Sequence, residues 1–163
     1  MTEEETYLPY VTSNQEGADC QLVTAMNASI LLHGKRLIKP KGEEYMALID
    51  KIGCVAGAAI NIQRAHPKLK IKLGKKYKCW SDIDWTAFPL ELQVWSMHYG
   101  YHSVAVVDYE PHCEAVRVLN FKCHTTLNGW IFLEKLRHYV ATHLNSPKSK
   151  GHLAHSFRKR GSK

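Results

Sequence analysis

The hydrophobic pattern of this chain changes its period about two fifths of the way along, and that change restricts the folds open to it. Up to about residue 65 the apolar side chains recur at helical spacing, and from about residue 68 they alternate as in strands. Helices followed by an antiparallel sheet predict an α+β fold. The predicted helices lie at 19–33, 43–52, 55–65 and 127–144, and the predicted strands at 68–73, 90–95, 102–109 and 115–121.

The length of the chain, 163 residues, is enough for one domain with its own hydrophobic core. We expect residues 1–145 to form that domain. Residues 148–163 carry six lysines and arginines and no acid, so we expect 146–163 to be a basic, disordered tail. No stretch is apolar over a length that could span a membrane.

The net charge of +7 comes from two segments. Besides the tail, residues 64–78 hold seven basic residues and no acid. The alternation from Lys68 to Lys78 fits an edge strand whose lysines discourage pairing with other molecules. It equally fits an acidic partner, and the same alternative stays open for the basic tail.

The cysteines indicate a reducing compartment. Five cysteines form no CxxC pair and the chain starts with an acidic segment, so we expect a cytoplasmic protein without disulfides. His112-Cys113 and Cys123-His124 are possible zinc ligands. They lie at opposite ends of a predicted hairpin, roughly 20–25 Å apart, which is too far to share an ion. No metal or other cofactor is therefore expected.

Three residues in the order nucleophile, base and orienter indicate the chemistry. Asp19 and Cys20 open the first predicted helix, where N–H groups and the helix dipole favour a thiolate. His102 lies 82 residues further on at the head of a strand, and Asn120 follows 18 residues later at the end of the next. The pattern predicts nucleophilic catalysis by Cys20, with His102 as base and Asn120 fixing its tautomer.

Two positions in this constellation have competitors. An oxyanion would be stabilised by the N–H of Cys20 and by an amide side chain just upstream. We favour Gln15 for its longer side chain, and Asn14 remains an alternative. His98 competes with His102 as the base, but no apolar strand follows it.

These motifs resemble the papain-like cysteine peptidases, and most closely the C39-like branch that processes bacteriocin leaders. The similarity covers about residues 10–121 and depends on Asp19-Cys20, the strand His102-Ser103-Val104-Ala105-Val106-Val107, and Asn120. Gln21 stands where that branch usually has glycine, and Leu119-Asn120-Phe121 where it tends to have Asp-Pro. The resemblance implies a papain-like fold and cleavage of a peptide bond through a thioester.

A peptide or protein substrate would then lie in the cleft between the helical half and the sheet. Residues 92–98 are the stretch expected to line it, by addition of a strand. Two alternatives remain. The same motifs resemble peptidoglycan hydrolases of the CHAP and NlpC/P60 type, whose cysteine and histidine are usually closer in sequence. The fold could also serve only to bind a peptide or an acidic partner, without catalysis.

Overall fold

An antiparallel sheet crossed on one face by a central helix forms the body of the molecule. The computed structural model describes residues 8–14, 19–52, 62–96, 100–122, 126, 128–141 and 151–161. In these ranges the helices are α1 (Cys20–His33), α2 (Glu43–Ile52), α3 (His66–Leu69) and α4 (Leu133–Leu136), with 3-10 helices at Trp80–Asp82, Trp85–Ala87 and Arg137–Tyr139. The strands are β1 (Ile71–Tyr77), β2 (Leu90–Ser96), β3 (Gly100–Glu110), β4 (Ala115–Leu119), β5 (Trp130–Phe132) and β6 (Ala154–Lys159).

The α+β prediction is confirmed, with Cys20 at the N-terminus of a helix that packs on an antiparallel sheet. Several predicted elements are confirmed to within two residues at most ends. They are the helices at 19–33 and 43–52, the strand at 90–95 and the hairpin that follows it. The predicted helix at 55–65 falls largely outside the described residues. No helix in the described ranges is long and apolar enough to cross a membrane.

The order of strands in the sheet is β1-β6-β2-β3-β4-β5, and neighbouring strands are antiparallel. β6 comes last in the sequence but inserts between β1 and β2, where it places His155 opposite Glu91. On the other side of β2, Ser103 lies opposite Gln93. Residues opposite each other share a face and successive residues alternate. Glu91, His155 and Ser103 therefore share one face, and His102 lies on the other.

Helix α1 is the centre of the fold. Residues 22–30 are all buried, as expected for a helix that is covered on all sides. Asn27 satisfies both main-chain groups of Val11, accepting from its N–H at 2.7 Å and donating to its carbonyl at 2.8 Å. Ser29 and Thr24 make side-chain contacts to α3 and β3 at 2.7 and 3.1 Å. These bonds fix α1 against the lead-in segment and the sheet.

Apolar side chains cover both faces of the sheet. One core fills the space between the face of β1 and β6 and the helices α1, α2 and α3, with Tyr45 and Phe157 among its members. The other core lies on the opposite face, where Leu92 and Val104 meet the segment around α4. The central strands β2 and β3 consequently have little surface in water, so the polar side chains on them need partners within the protein.

The predicted helix at 127–144 is wrong. Trp130–Phe132 is the strand β5, which pairs with β4, and only the single turn α4 and a 3-10 helix follow it. Asn128 and Gly129 have left-handed φ angles of 54° and 86°, which make a turn before the strand. Pairing of the buried, β-branched Ile131 with Val116 outweighs the helical spacing of the apolar residues in this segment.

The predicted disordered tail is wrong for residues 154–159. They form β6, an interior strand, whose Ala154 and Phe157 are buried. The predicted strand at 68–73 also starts later, at Ile71, because Pro67 opens the short helix α3 and Lys70 ends it with a φ of 53°. The resulting strand β1 is an edge of the sheet, as its lysines indicated.

Candidate active site

Cys20 is the first residue of α1 and is partly buried. Burial has the largest effect on its thiol and raises the pKa, while hydrogen bonds from the main-chain N–H groups of Ser103 and Gln21 lower it. The carboxylates of Glu91 and Asp19 raise it further, so the pKa of the Cys20 thiol lies above its ordinary value. The resting form of Cys20 at neutral pH is therefore the thiol.

The side chain of Asp19 does not cap α1. It occupies the N-cap position but makes no side-chain capping hydrogen bond. Its carboxylate instead accepts the hydroxyl hydrogen of Tyr45, which is buried on α2. The residue thus joins α1 to α2.

The main-chain N–H of Ser103 can bond to the thiol of Cys20 because β4 ends before it could pair with Ser103. Gln93, opposite Ser103, directs both its main-chain groups to the other side of β2. In such an antiparallel pair the two residues point away from each other, so the N–H of Ser103 faces β4. β4 ends at Leu119 before it reaches Ser103. The space beyond the end of β4 is where the thiol of Cys20 lies.

His102 lies at the same end of the sheet. Its ring is buried, and Nε2 lies 2.5 Å from the main-chain carbonyl oxygen of Asn120. A carbonyl oxygen can only accept, so Nε2 carries a hydrogen and Nδ1 is the proton acceptor of the neutral ring. Asn120 has a left-handed φ of 59° just after β4. The predicted pairing of His102 with Asn120 is therefore made through the main chain, and not through the side chain.

The side chain of Asn120 has a different partner. Its Nδ2 donates to Oδ1 of Asn14 at 2.6 Å. Asn14, one of the two upstream amides that could support an oxyanion, consequently lies beside the predicted catalytic residues. Gln15, the favoured amide, and His98, the competing base, lie outside the described residues.

The structure thus brings Cys20, His102, Asn120 and Asn14 to one end of the sheet. Main-chain N–H groups and carboxylates act on the thiol of Cys20. Ser103 contacts α1 through its hydroxyl, so strand alternation directs the ring of His102 to the other face.

The predicted addition of a substrate strand to residues 92–98 is wrong for the part of this segment that the structure describes. Leu92 and Val94 are fully buried in the core. β2 is flanked by β6 and β3, so a peptide cannot add to it as a further strand. Trp95 is exposed, and residues 97 and 98 lie outside the described ranges.

A groove of about 680 Å³ lies instead beyond β4. Asn120 and Thr12 border it, and its charged lining residues are Arg117 and Lys122. The guanidinium of Arg117 lies over the ring of Tyr10 at 5.6 Å. The groove therefore starts at the candidate site and presents positive charge to whatever enters it.

A buried ionic cluster on the α1 side of the sheet was not foreseen from the sequence. Glu91 accepts hydrogen bonds from Gln93 at 2.7 Å and from the side-chain amide of Gln21 at 2.8 and 3.2 Å, in the amide orientation that satisfies both groups. Nε2 of His155 lies 3.3 Å from the same carboxylate, and the hydroxyl of Ser103 also bonds to it. A carboxylate has about four lone-pair sites, and here all are occupied.

His155 is an imidazolium in this cluster. Its Nδ1 lies 3.1 Å from the carbonyl oxygen of Ser156 and its Nε2 faces Glu91, and both of these oxygens can only accept. Burial alone would lower the pKa of His155 and raise that of Glu91. The charge of each partner and their hydrogen bonds outweigh burial, so the pKa of His155 is raised and that of Glu91 is lowered.

A cavity of about 290 Å³ opens beside this cluster. Its lining includes the side chains of Gln21, Gln93, Glu91 and His155, together with His152. Burial and the charges of His155, Lys76 and Lys78 lower the pKa of His152, although Glu91 opposes them. Among the described residues, no three His, Cys, Asp or Glu side chains are grouped so that they could hold a metal ion.

No protein-family model matches the sequence, and no curated protein is significantly similar to it. Among solved structures, the chain is similar to the N-terminal peptidase C39-like domain of the toxin secretion ATP-binding protein from Vibrio parahaemolyticus. The two share 13% sequence identity with a TM-score of 0.48, over 84% of this chain and 97% of that domain. The similarity is a distant one of fold, so the roles of individual residues depend on the geometry of this chain.

Proposed function

We propose that this protein is a cysteine peptidase in which Cys20 attacks a peptide carbonyl and His102 transfers the proton. One observation carries the proposal. The carbonyl of Asn120 holds the hydrogen of His102 on Nε2, which makes Nδ1 a base at the end of the sheet where α1 presents Cys20.

The reaction would proceed by acyl transfer. As the sulfur of Cys20 bonds to the carbonyl carbon, the thiol proton passes to Nδ1 of His102, which then protonates the leaving amine. Water hydrolyses the thioester and restores the thiol. The ring must approach the thiol past the end of β4 for this transfer. The groove beside Asn120 offers room there for a peptide.

The oxyanion of the tetrahedral intermediate needs donors. The N–H of Cys20 belongs to the first turn of α1, where N–H groups have no partner within the helix. We propose that the side-chain amide of either Asn14 or Gln15 is the second donor. Gln15 has the longer reach, and Asn14 is the one joined to Asn120.

Cleavage of a peptide mixture tests the proposal. The protein is incubated with peptides from a digested proteome, and new termini are identified by mass spectrometry. We expect a reproducible set of cuts that Cys20→Ala abolishes and that His102→Ala slows by at least about a hundredfold. Asn120→Gly should slow them by less than tenfold, because glycine tolerates the left-handed backbone and keeps the carbonyl.

Cys113 provides the matched control. It is an exposed free cysteine in the turn between β3 and β4, so Cys113→Ala should leave the cuts unchanged. Cuts that survive in Cys20→Ala, or a folded wild-type protein that makes none, would contradict the proposal.

The state of the thiol favours a second candidate, a peptidase fold used only for binding. Burial and two carboxylates raise the pKa of Cys20, which disfavours the thiolate that a resting cysteine peptidase often holds. Alkylation by iodoacetamide at varied pH separates the two candidates. A rate for Cys20 that does not respond to His102→Ala, together with absent cleavage, would favour binding alone.

A further inference from the structure

We propose that the cavity beside Glu91 is a substrate pocket for a neutral carboxamide, the side chain of a glutamine or asparagine. This deepens the proposed peptidase function, on which it rests, by naming a residue type that the enzyme would select. Gln21, which lines the cavity, follows Cys20 directly in α1, and the charge of Glu91 on the same wall acts on the thiol of Cys20.

The buried carboxylate determines what the cavity presents. The carboxylate of Glu91 accepts hydrogen bonds from the side-chain amide nitrogens of both Gln21 and Gln93. The oxygen and nitrogen of an amide point in different directions from its carbon, so both oxygens face away from the carboxylate. Both glutamines line the cavity. The cavity therefore offers two fixed acceptors, held by a carboxylate that is itself saturated.

A pair of acceptors suits a group with two N–H donors. A carboxamide has two such hydrogens on one nitrogen and one oxygen that accepts. The ring of His152, neutral because its pKa is lowered, lies on the cavity wall and can donate one N–H to that oxygen. The side-chain oxygens of Gln21 and Gln93 and the N–H of His152 then have partners.

Charged side chains fit less well. A carboxylate has the shape of the carboxamide, but it would face two amide oxygens and the ionised Glu91 without a hydrogen to donate. An ammonium could use the same two acceptors, but it has no oxygen to accept the N–H of His152. The positive charges of Lys76 and Lys78 also act on the wall residue His152. The pocket thus discriminates by charge as well as by hydrogen bonding.

The test uses three small probes that differ only in the side chain. N-acetyl methylamides of glutamine, glutamate and lysine are titrated into the full chain labelled with ¹⁵N-histidine, and the ring signals of His152 are followed by NMR. We expect the glutamine probe to shift these signals saturably. The glutamate and lysine probes should bind at least tenfold more weakly, the change expected for one lost hydrogen bond and a repulsive contact.

Two nearly isosteric variants remove the acceptors. Gln93→Met and Gln21→Met should each weaken binding of the glutamine probe at least tenfold, and if one does not fold, the other serves. Glu134→Gln, at an exposed position on α4, should bind as the wild type does. Equal affinity for the three probes, or an unchanged affinity in a folded Met variant, would overturn the proposal.

The pocket and the peptidase activity can fail separately. Selective binding of the glutamine probe without Cys20-dependent cleavage would keep the pocket and remove the peptidase. If the cleavage rate does not change when a glutamine near the scissile bond is replaced by glutamate, and no probe binds selectively, the pocket proposal is wrong and the peptidase proposal stands.

Discussion

Replacing Glu91 by alanine leaves the imidazolium of His155 buried without its counterion. The side chains of His155 and Glu91 are 7% and 6% exposed, and removing one partner of a buried ion pair typically costs about 3–5 kcal/mol. For a chain of this size that corresponds to a decrease in Tm of roughly 6–20 °C. We expect a loss in this range at pH 5.5, measured by circular dichroism.

The cost should depend on pH in a defined direction. The pKa of His155 is raised above 6.5, so the stability it contributes is complete below that pH and is lost as the pH rises through its folded-state value. The pKa of Glu91 is lowered below 4.5, so its contribution is complete above that pH and is lost on further acidification. The difference between wild type and Glu91→Ala should be largest between about pH 4.5 and 6.5.

Glu44→Ala is the control for the loss of a carboxylate. Glu44 is exposed in the first turn of α2, and its removal should cost only a few tenths of a kcal/mol. A change below about 1 kcal/mol for Glu91→Ala at pH 5.5 would refute the buried ion pair, as would a cost that stays constant up to pH 9.

Three further predictions concern stability. Burial lowers the pKa of His66 to about 4, so stability should be lost as the pH falls from about 6.5 towards 4; thermal unfolding of His66→Phe should show a smaller loss. In Gly74→Ala the new Cβ would lie 2.1 Å from Oγ of Ser156, which should cost about 1–3 kcal/mol in urea unfolding, partly recovered by adding Ser156→Ala. Asn27→Ala leaves both main-chain groups of Val11 unpaired and should cost about 2–4 kcal/mol in urea unfolding.

Local patterns were sufficient to predict where Cys20, His102 and Asn120 lie along the elements of the fold. Cys20 begins a helix, His102 lies on β3, and Asn120 follows the next strand, β4, of the same hairpin. Each of these placements depends on residues close in sequence, and a short connection makes consecutive strands pair. The atoms that join His102 to Asn120 could not be predicted, because they depend on the left-handed backbone of one residue after β4.

Local sequence patterns could not predict the buried ion pair of Glu91 and His155. Glu91 and His155 are 64 positions apart (155 − 91), and they meet only because β6 inserts between two earlier strands. Glu91 alternates with Leu90 and Leu92, as a surface residue of a half-buried strand does. His155 stands before a run of basic residues that resembled a solvated end. Which strands pair is a property of the whole fold and has no local signal.

Their hydrogen-bond partners distinguish two buried histidines, His102 on β3 and His155 on β6. His155 donates from both ring nitrogens and cannot accept a proton while its partners stay in place. His102 donates from Nε2 to a carbonyl and keeps Nδ1 as an acceptor in its neutral form. If the proposed peptidase is correct, His102 is therefore the base, although His155 is joined to a carboxylate that acts on the thiol.

The protonation state of the resting Cys20 predicts the pH profile of cleavage. With Cys20 resting as a thiol, the reactive form is neutral thiol with neutral imidazole, so the upper limb of kcat/KM should lie at the raised pKa of Cys20. Glu91→Gln removes a charge that raises the pKa of Cys20, so the upper limb should move to lower pH while the lower limb stays. If the upper limb does not move in a folded variant, Glu91 does not control the thiol. If activity instead falls where His102 loses its proton, the reactive form is a thiolate–imidazolium pair.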